Sequence, residues 1–364
     1  MTKSPLPPPS SPAAAPPGAW LRSPLWDPVC LGFCWLPFYI WTVFGLGLDG
    51  SWAAGTVQHG ALGWATTAAL ATTYVHRHYT FFLVYGDRDT FRRRARDFVA
   101  APLLVFMIVG ACRGVGGDAW KLVLVAVGVW NVWHTLMQRY GILRIYAAKS
   151  GRGLQDRSHG RRDLALLWGS VILVSGATLL LRAGTFAGQT NARQLLRVLR
   201  PVLAASWSWV LLVVLALGWL AVLLHWLRHE LRAELRPRER APRWLFLGST
   251  FALLAVFVVH GPIVGYLCFG VAHALEYIAF VHHFGQQKFA RDGRGPVAVL
   301  LRRPLMTAPL LIGLLTIAFI MLYARRQTDL YLVYYLGTSL LHFLFDGWIW
   351  KVRRPELRRP LGVA

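Results

Sequence analysis

Residues 262–284, PIVGYLCFGVAHALEYIAFVHHF, combine the length of a membrane span with four ionisable side chains. A helix needs about 20 mainly apolar residues to cross a hydrocarbon core that is about 30 Å thick, and this segment is long enough. Its ionisable residues are His273, Glu276, His282 and His283. Such groups cost free energy at membrane depth, so they usually face a protein interior and mark a functional site. The segment predicts a helical membrane protein with a polar site inside it.

The whole chain has the composition of a membrane protein. It has 364 residues, of which 55% are hydrophobic and only 15% charged, whereas soluble domains carry about a quarter charged residues. The mean hydropathy is +0.44. We therefore expect an all-α fold: a polytopic integral membrane helical bundle of about ten transmembrane helices, forming one domain over residues 28–351. The predicted spans are 28–48, 57–83, 98–114, 119–140, 164–182, 202–227, 244–260, 262–284, 305–324 and 330–350.

The basic residues predict how the bundle is oriented. The net charge is +23, and most basic residues follow the even-numbered spans, around 88–96, 139–162, 228–243, 288–303 and 351–359. The positive-inside rule then places both termini in the cytoplasm. We expect a multi-pass protein of the bacterial inner membrane that contacts anionic lipids. The same dispersed pattern argues against nucleic-acid binding, which needs one clustered basic face.

Both ends of the chain differ in composition from the bundle. Residues 1–27 are rich in Pro, Ala and Ser, which predicts a disordered cytoplasmic tail because such a segment cannot bury a core. Residues 352–364 are predicted to form a basic cytoplasmic tail.

Ionisable residues of four spans lie at one depth. Spans 2, 4, 8 and 10 run in the same direction, and each carries these residues in its second half. At about 1.5 Å per residue, His134 lies roughly 22 Å and His342 roughly 18 Å below the start of its span, and His273 and Glu276 lie at roughly 16–21 Å. His76 and His283 are expected lower, near the cytoplasmic interface. A layer in the cytoplasmic half of the membrane is therefore expected to hold a metal centre. The candidate ligands are His76, His78, His134, His273, Glu276, His282, His283, His342 and Asp346.

Helical phase ranks some of these candidates. Glu276 and His283 are seven residues apart and share a face, whereas His282 points elsewhere, so His283 is favoured. His76 and His78 point to opposite sides of a regular helix, so both can be ligands only if the helix ends there. Asp346 follows His342 by four residues and is expected either to bind the metal or to orient the imidazole.

Imidazole and carboxylate groups together suit iron, zinc, copper or manganese. The alternative is a network of polar side chains that fixes helix packing without a metal. His225 and His229 also have ligand spacing, but Arg228 and Arg232 beside them favour a solvated turn. His159 lies in a basic segment and is expected to be solvated.

The pattern is similar in its chemistry to the histidine-rich membrane desaturases and hydroxylases, which have a non-haem di-iron centre near the cytosolic face. Those families use H-x-x-x-H and H-x-x-H-H boxes and have fewer spans. This chain instead has His76-Arg77-His78, an isolated His134, His273-x-x-Glu276 followed by His282-His283, and an isolated His342. The resemblance therefore concerns the type of centre and not the motif.

The leading hypothesis is an integral membrane metalloenzyme: an iron-dependent oxidoreductase of the oxygenase, hydroxylase or desaturase type, with a role in lipid metabolism. Its substrate is expected to be a lipid or another apolar small molecule, and its iron to be non-haem and mononuclear or dinuclear. A cytoplasmic electron donor is expected to dock on the arginine-rich face. Two alternatives stay open: a haem-binding electron-transfer protein, and a proton or metal-ion transporter with a His/Asp/Glu relay.

Overall fold

The computed structural model describes residues 18–50, 59–152, 156–182, 201–289, 296–351 and 354–363, and these residues form helices and no strands. The all-α fold class is confirmed. Two short π-helices cover Pro28–Gly32 and Trp41–Gly45. The α-helices are α1 (Leu36–Ile40), α2 (His59–Gly86), α3 (Arg88–Arg93), α4 (Ala95–Val115), α5 (Gly117–Lys149), α6 (Arg157–Leu181), α7 (Trp207–Arg232), α8 (Pro237–His260), α9 (Pro262–Lys288), α10 (Pro296–Arg302), α11 (Pro304–Tyr323), α12 (Asp329–Ile349) and α13 (Pro355–Leu361).

Seven helices of the described residues are long and apolar enough to cross a membrane, which agrees with a multi-pass membrane protein. They are α4 to α9 together with Met306–Tyr323 of α11, and they correspond to the third to ninth predicted spans. Helices α2 and α12 match the second and tenth predicted spans and have 28 and 21 residues, but they carry more polar side chains. The total of about ten spans and the orientation of the termini stay predictions.

The first predicted span, 28–48, is not one continuous helix. It consists of the two π-helices and α1, with Phe33 in a non-helical conformation between the first two pieces. Pro28 and Pro37 each stand in the first turn of a short helix, where a missing N–H is tolerated. These pieces pack on α8 and α9.

The prediction of a disordered tail does not hold for residues 18–27. The buried carboxylate of Asp27 accepts hydrogen bonds from the backbone N–H groups of Leu21 (2.6 Å) and Arg22 (2.9 Å). Leu21 and Leu361, one from each end of the chain, pack in the same buried apolar cluster. Where they are described, both ends therefore pack on the bundle; residues 1–17, 352–353 and 364 lie outside the described part.

Helix α9 organises the interior. It packs against α2, α5, α8 and α10, while α12 packs against α2, α4 and α5. The four helices that carry the predicted ligands, α2, α5, α9 and α12, are therefore neighbours. Several close approaches need glycine. For example, a Cβ added at Gly265 would lie 2.4 Å from the Phe257 ring, and one at Gly337 would lie 2.5 Å from the Phe106 ring. Small residues let helix backbones approach in this way.

Three arginines that the sequence places at the end of span 4 or in the cytoplasmic loops are buried in helices. Helix α5 continues to Lys149, so Arg144 lies within it together with Arg139, and Arg243 lies within α8. The remaining arginines still lie mainly after the even-numbered spans and predict the same orientation.

Helix α6 begins with a side-chain cap. Asp156 accepts hydrogen bonds from the backbone N–H groups of Ser158 (2.9 Å) and His159 (3.0 Å). The hydrogen bond from the His159 backbone, followed by those from Ser158, lowers the pKa of Asp156 to about 2. An aspartate at this position satisfies N–H groups that the helix itself leaves unpaired.

Candidate metal centre

Each of the four central helices contributes one buried histidine to a compact cluster. His76 comes from α2, His134 from α5, His273 from α9 and His342 from α12. The centroid of the His76 ring lies 4.8 Å from that of His273 and 4.6 Å from that of His342. The centroid of the His134 ring lies 5.0 Å and 4.8 Å from the same two centroids. The four imidazoles therefore surround one small volume.

Asp346 adds a carboxylate to this cluster. Its Oδ2 atom lies 3.6 Å from His134 Nε2 and 3.7 Å from His342 Nε2. Its Oδ1 atom accepts hydrogen bonds from Thr80 (2.9 Å) and Tyr277 (2.8 Å). One carboxylate oxygen is thus fixed by hydroxyl groups, while the other faces two imidazole nitrogens.

His342 joins the two halves of the cluster. Its Nε2 atom lies 3.1 Å from His76 Nε2, and its Nδ1 atom lies 2.8 Å from the Thr80 hydroxyl. The cluster contains two sets of three donor atoms, and within each set all three atoms lie within 4.8 Å of one another. One set comes from His76, His273 and His342, and the other from His134, His342 and Asp346. Because His342 belongs to both sets, the five residues form one site.

Several nitrogens of the cluster have no hydrogen-bond partner within the described part of the chain. These are both ring nitrogens of His273, Nδ1 of His76 and Nε2 of His134. Leaving a buried donor or acceptor unsatisfied costs about 1–3 kcal/mol, so such atoms need an explanation. Coordination of a metal ion would give these imidazoles a partner.

The donor distances fit a shared ion. Metal–nitrogen bonds of about 2.0–2.1 Å place two ligands of one ion about 3 Å apart at a right angle and about 4 Å apart when opposed. The His76–His342 nitrogen pair at 3.1 Å and the two Asp346 distances of 3.6 and 3.7 Å fall in this range. Imidazole and carboxylate donors suit iron, zinc, copper and manganese.

Glu276, a predicted ligand, forms a buried ion pair instead. Its carboxylate binds the guanidinium of Arg139, and both side chains are fully buried. Gln138 also donates to Glu276 (3.4 Å), and Arg139 donates to Thr250 (2.8 Å). Glu276 belongs to neither set of three donors, because α5 brings Arg139 against the turn that follows His273.

His78, His282 and His283 also lie outside the two donor sets. Since α2 continues to Gly86, His78 points away from His76, and its two nitrogens contact the Tyr74 carbonyl (2.7 Å) and the Tyr334 hydroxyl (2.9 Å). His282 Nε2 lies 3.0 Å from the Tyr79 hydroxyl, and the His283 ring packs 5.5 Å from Trp26. Helical phase was correct for His78, but it did not distinguish His283 from His282.

Residues one turn after the histidines support the site, and two of them were not predicted from the sequence. Thr80 and Tyr277 follow His76 and His273 by four residues, and their hydroxyls are 2.6 Å apart. Trp350 donates to Tyr277 (3.2 Å). The signal in the sequence was the spacing, because every histidine of the cluster is followed four residues later by a polar side chain: Thr80, Gln138, Tyr277 and Asp346.

A cavity of about 710 Å³ lies beside the cluster. His134, Tyr277 and Asp346 line one part of it, and Lys351 and Arg354 line another. Much of the remaining wall is apolar, formed by Trp133, Met137, Ile142, Ile145, Phe280 and Phe343. The volume is that of a small-molecule site, for which about 300–1,000 Å³ is usual.

A second polar cluster corrects the expectation for His159. This histidine is buried, with its Nε2 atom 3.8 Å from Asp163 and 3.9 Å from Glu230. Arg243 pairs with both carboxylates, and Arg152 also pairs with Glu230. These residues form an ionic network that connects α6, α7 and α8.

The two histidines of α7, His225 and His229, are separate from both clusters. The rings of His225 and His229 lie 4.6 Å apart, and His225 is exposed. Neither belongs to a set of three metal donors among the described residues.

Comparison with known proteins gives no relative: no protein-family model, no curated protein and no solved structure matches this chain. The site therefore has to be interpreted from its own geometry.

Proposed function

We propose that this protein is an integral membrane metalloenzyme that holds non-haem iron between His76, His134, His273, His342 and Asp346. We further propose that it is an oxidoreductase of the oxygenase, hydroxylase or desaturase type, acting on a lipid or another apolar substrate. The observation that carries the proposal is His273, which is buried among three other imidazoles and has no partner for either ring nitrogen in the described part of the chain.

The unpaired nitrogens favour a metal over a packing network. A polar network that fixes helix packing satisfies its own members, because a half-satisfied buried network costs more than an apolar core. Here the residues around the cluster are well paired: Thr80, Tyr277 and one Asp346 oxygen bond to one another. Within the cluster itself, all four unsatisfied atoms are imidazole nitrogens of His76, His134 and His273. Imidazoles are also the commonest metal ligands.

Bound iron would supply redox chemistry and activation of oxygen, and the protein's own residues have three tasks. The four histidines and Asp346 hold the ion from four different helices. Thr80 and Tyr277 fix the orientation of Asp346, as hydrogen-bond partners of ligands usually do. Phe280, Phe343 and other apolar side chains form much of the wall of the neighbouring cavity. This combination supports an apolar substrate.

An oxidoreductase of this type needs a source of electrons. We assign this role to a cytoplasmic donor protein with an acidic surface, because complementary charge steers protein partners together. Exposed arginines that could receive it include Arg88, Arg92, Arg157, Arg161, Arg232, Arg236 and Arg238.

The packing of the imidazoles disfavours haem at this site. Two histidines that ligate one haem lie on opposite faces of a flat macrocycle. In the cluster, neighbouring rings contact one another at 4.6–5.0 Å between centroids, which leaves no slot for a macrocycle between them.

One observation favours a transporter as the second candidate. His76, His342, Thr80 and Asp346 form a continuous hydrogen-bonded chain, and such chains are typical of proton relays in membranes. Proteoliposomes distinguish the two functions. The metalloenzyme proposal expects no proton or metal-ion flux above that of protein-free vesicles, and a flux that His76→Asn abolishes would favour the transporter.

The direct test of the proposed function is elemental analysis of detergent-purified protein, together with an optical spectrum of the same sample. We expect stoichiometric iron and no Soret band. A Soret band would assign the protein to the haem class, and zinc as the sole stoichiometric metal would contradict an oxidoreductase.

A further inference from the structure

We propose that the cavity beside the histidine cluster binds an amphiphile with an anionic head group. The head group contacts Lys351 and Arg354, and the apolar chain extends towards His134 and Asp346. The identification of this ligand as the substrate rests on the proposed function, whereas its binding does not.

The cavity is elongated along α5. On this helix it is lined by His134, Met137, Gly141 and Ile145, which share one face of the helix. From His134 to Ile145 the helix rises about 16 Å at 1.5 Å per residue. A volume of about 710 Å³ distributed over this length fits a chain-like molecule.

The two ends of the cavity differ in charge. Asp346 is the only carboxylate among the described residues that line the cavity, and it lies beside the histidines. Lys351 and Arg354 follow it along the same chain segment, one after the last turn of α12 and the other at the start of α13. Arg144 also lines the cavity, but it pairs with Asp163 (3.7 Å). Lys351 and Arg354 follow Asp346 by five and eight residues and favour a carboxylate or a phosphate, because hydrogen bonds between charged groups are stronger than neutral ones.

The walls between the two ends are apolar and aromatic. Met137, Phe280 and Phe343 line this part, and Trp133 and Trp350 add aromatic surface. An apolar chain would be removed from water here, with a gain of about 25 cal/mol per Å² of buried apolar surface. Head group and chain thus have complementary surroundings, with the chain towards the proposed metal centre.

The charge preference is tested with three lauryl probes: laurate, lauryl phosphate and lauryl alcohol. Binding is measured by equilibrium dialysis against protein in nanodiscs of zwitterionic lipid. We expect at least one anionic probe to bind about tenfold more tightly than the alcohol, equivalent to about 1.4 kcal/mol. The double substitution Lys351→Gln with Arg354→Gln should remove this difference. The matched control is Arg92→Gln, an exposed arginine outside the cavity, which should leave the difference intact.

The position of the chain is tested with two glycines of α5. Gly141 lines the cavity and Gly128 does not, and a Cβ added at either position meets no atom within 4 Å. Gly141→Leu should fill part of the cavity and weaken all three probes, whereas Gly128→Leu should change none of them.

Equal binding of the anionic probes and the alcohol by the unmodified protein would overturn the head-group assignment. Equal effects of Gly141→Leu and Gly128→Leu would overturn the assignment of the cavity. Iron content, measured on the same samples, reports on the proposed function separately: protein without iron that still prefers the anionic probes would contradict the metalloenzyme and retain the binding site.

Discussion

His273 lies at the centre of the bundle with neither ring nitrogen bonded to a described residue. A lone histidine in a membrane helix usually turns a nitrogen towards a carbonyl or hydroxyl group, as His78 does with Tyr74 and Tyr334. His273 instead faces the imidazoles of His76 and His134. Burying four imidazoles together costs free energy unless their nitrogens have a common partner such as a metal ion. This cost is the physical basis of the metal assignment.

Asp346→Asn is predicted to weaken metal binding while leaving the fold intact. The amide keeps the shape of the carboxylate and one acceptor for Thr80 and Tyr277, but it removes the negative charge beside His134 and His342. Metal affinity should fall by at least about 10–100-fold, because that is the usual cost of losing even a hydrogen-bond partner of a ligand, and Asp346 is itself a proposed ligand. Metal content after dialysis against a chelator and the melting temperature in detergent measure the two effects.

Asp329→Asn is the matched control, because it makes the same change at the exposed start of the same helix, α12. If both variants retain as much metal as the unmodified protein, Asp346 does not belong to the site.

Glu276→Gln tests the distinction between a metal ligand and an ion pair. The substitution leaves the buried Arg139 guanidinium without its counter-charge, which should reduce the free energy of unfolding by about 3–5 kcal/mol. Adding Arg139→Gln should restore part of this loss, because the uncompensated charge is then removed. Thermal melting and metal content of both variants measure the result; loss of metal with unchanged melting would make Glu276 a ligand instead.

At the scale of helices, the contact between α4 and α12 depends on one glycine. A methyl group at Gly337 would approach the Phe106 ring to 2.5 Å, whereas one at Gly110 of α4 meets no atom within 4 Å. Overpacking of this kind costs about 1–3 kcal/mol, so Gly337→Ala should lower the melting temperature. Gly110→Ala should not, and an equal response of the two variants would show that the close approach is absent.

The sequence predicted the helices better than their contacts. Length and hydropathy identified the seven apolar helices, and a shared depth predicted that His134, His273 and His342 meet. His76 was expected nearer the cytoplasmic interface, but its ring contacts His342. Depth and phase could not show which side chain of a neighbouring helix lies opposite each candidate. Glu276 was therefore assigned to the metal, although Arg139 of α5 lies against it.

The sequence pattern also did not predict that residues 28–48 form several short helices. Their hydropathy alone resembles that of a span, but prolines interrupt the segment. The sequence places Arg144 and Arg243 in loops and Arg139 at the end of a span, because basic residues usually lie there. A buried carboxylate partner is visible only in three dimensions.

For the whole molecule, the charge distribution predicts the orientation in the membrane. Reporter fusions after Arg96 and at the C-terminus should give a cytoplasmic signal, and a fusion after Asp329 should give an external one, because most exposed arginines lie on one side. An external signal at the C-terminus together with a cytoplasmic one after Asp329 would show the opposite orientation. The arginine-rich face proposed to bind the electron donor would then lie outside the cell.

The central claim is that the four histidines bind one metal centre, and a matched pair of variants on α9 tests it most directly. His273→Asn and His282→Asn remove the same group from the same helix, but His282 belongs to neither donor set and contacts Tyr79. Iron per chain, measured by elemental analysis of folded, monodisperse protein, should fall to near zero in His273→Asn and stay at the unmodified level in His282→Asn. Full iron content in His273→Asn, or equal loss in both variants, would contradict the proposed centre.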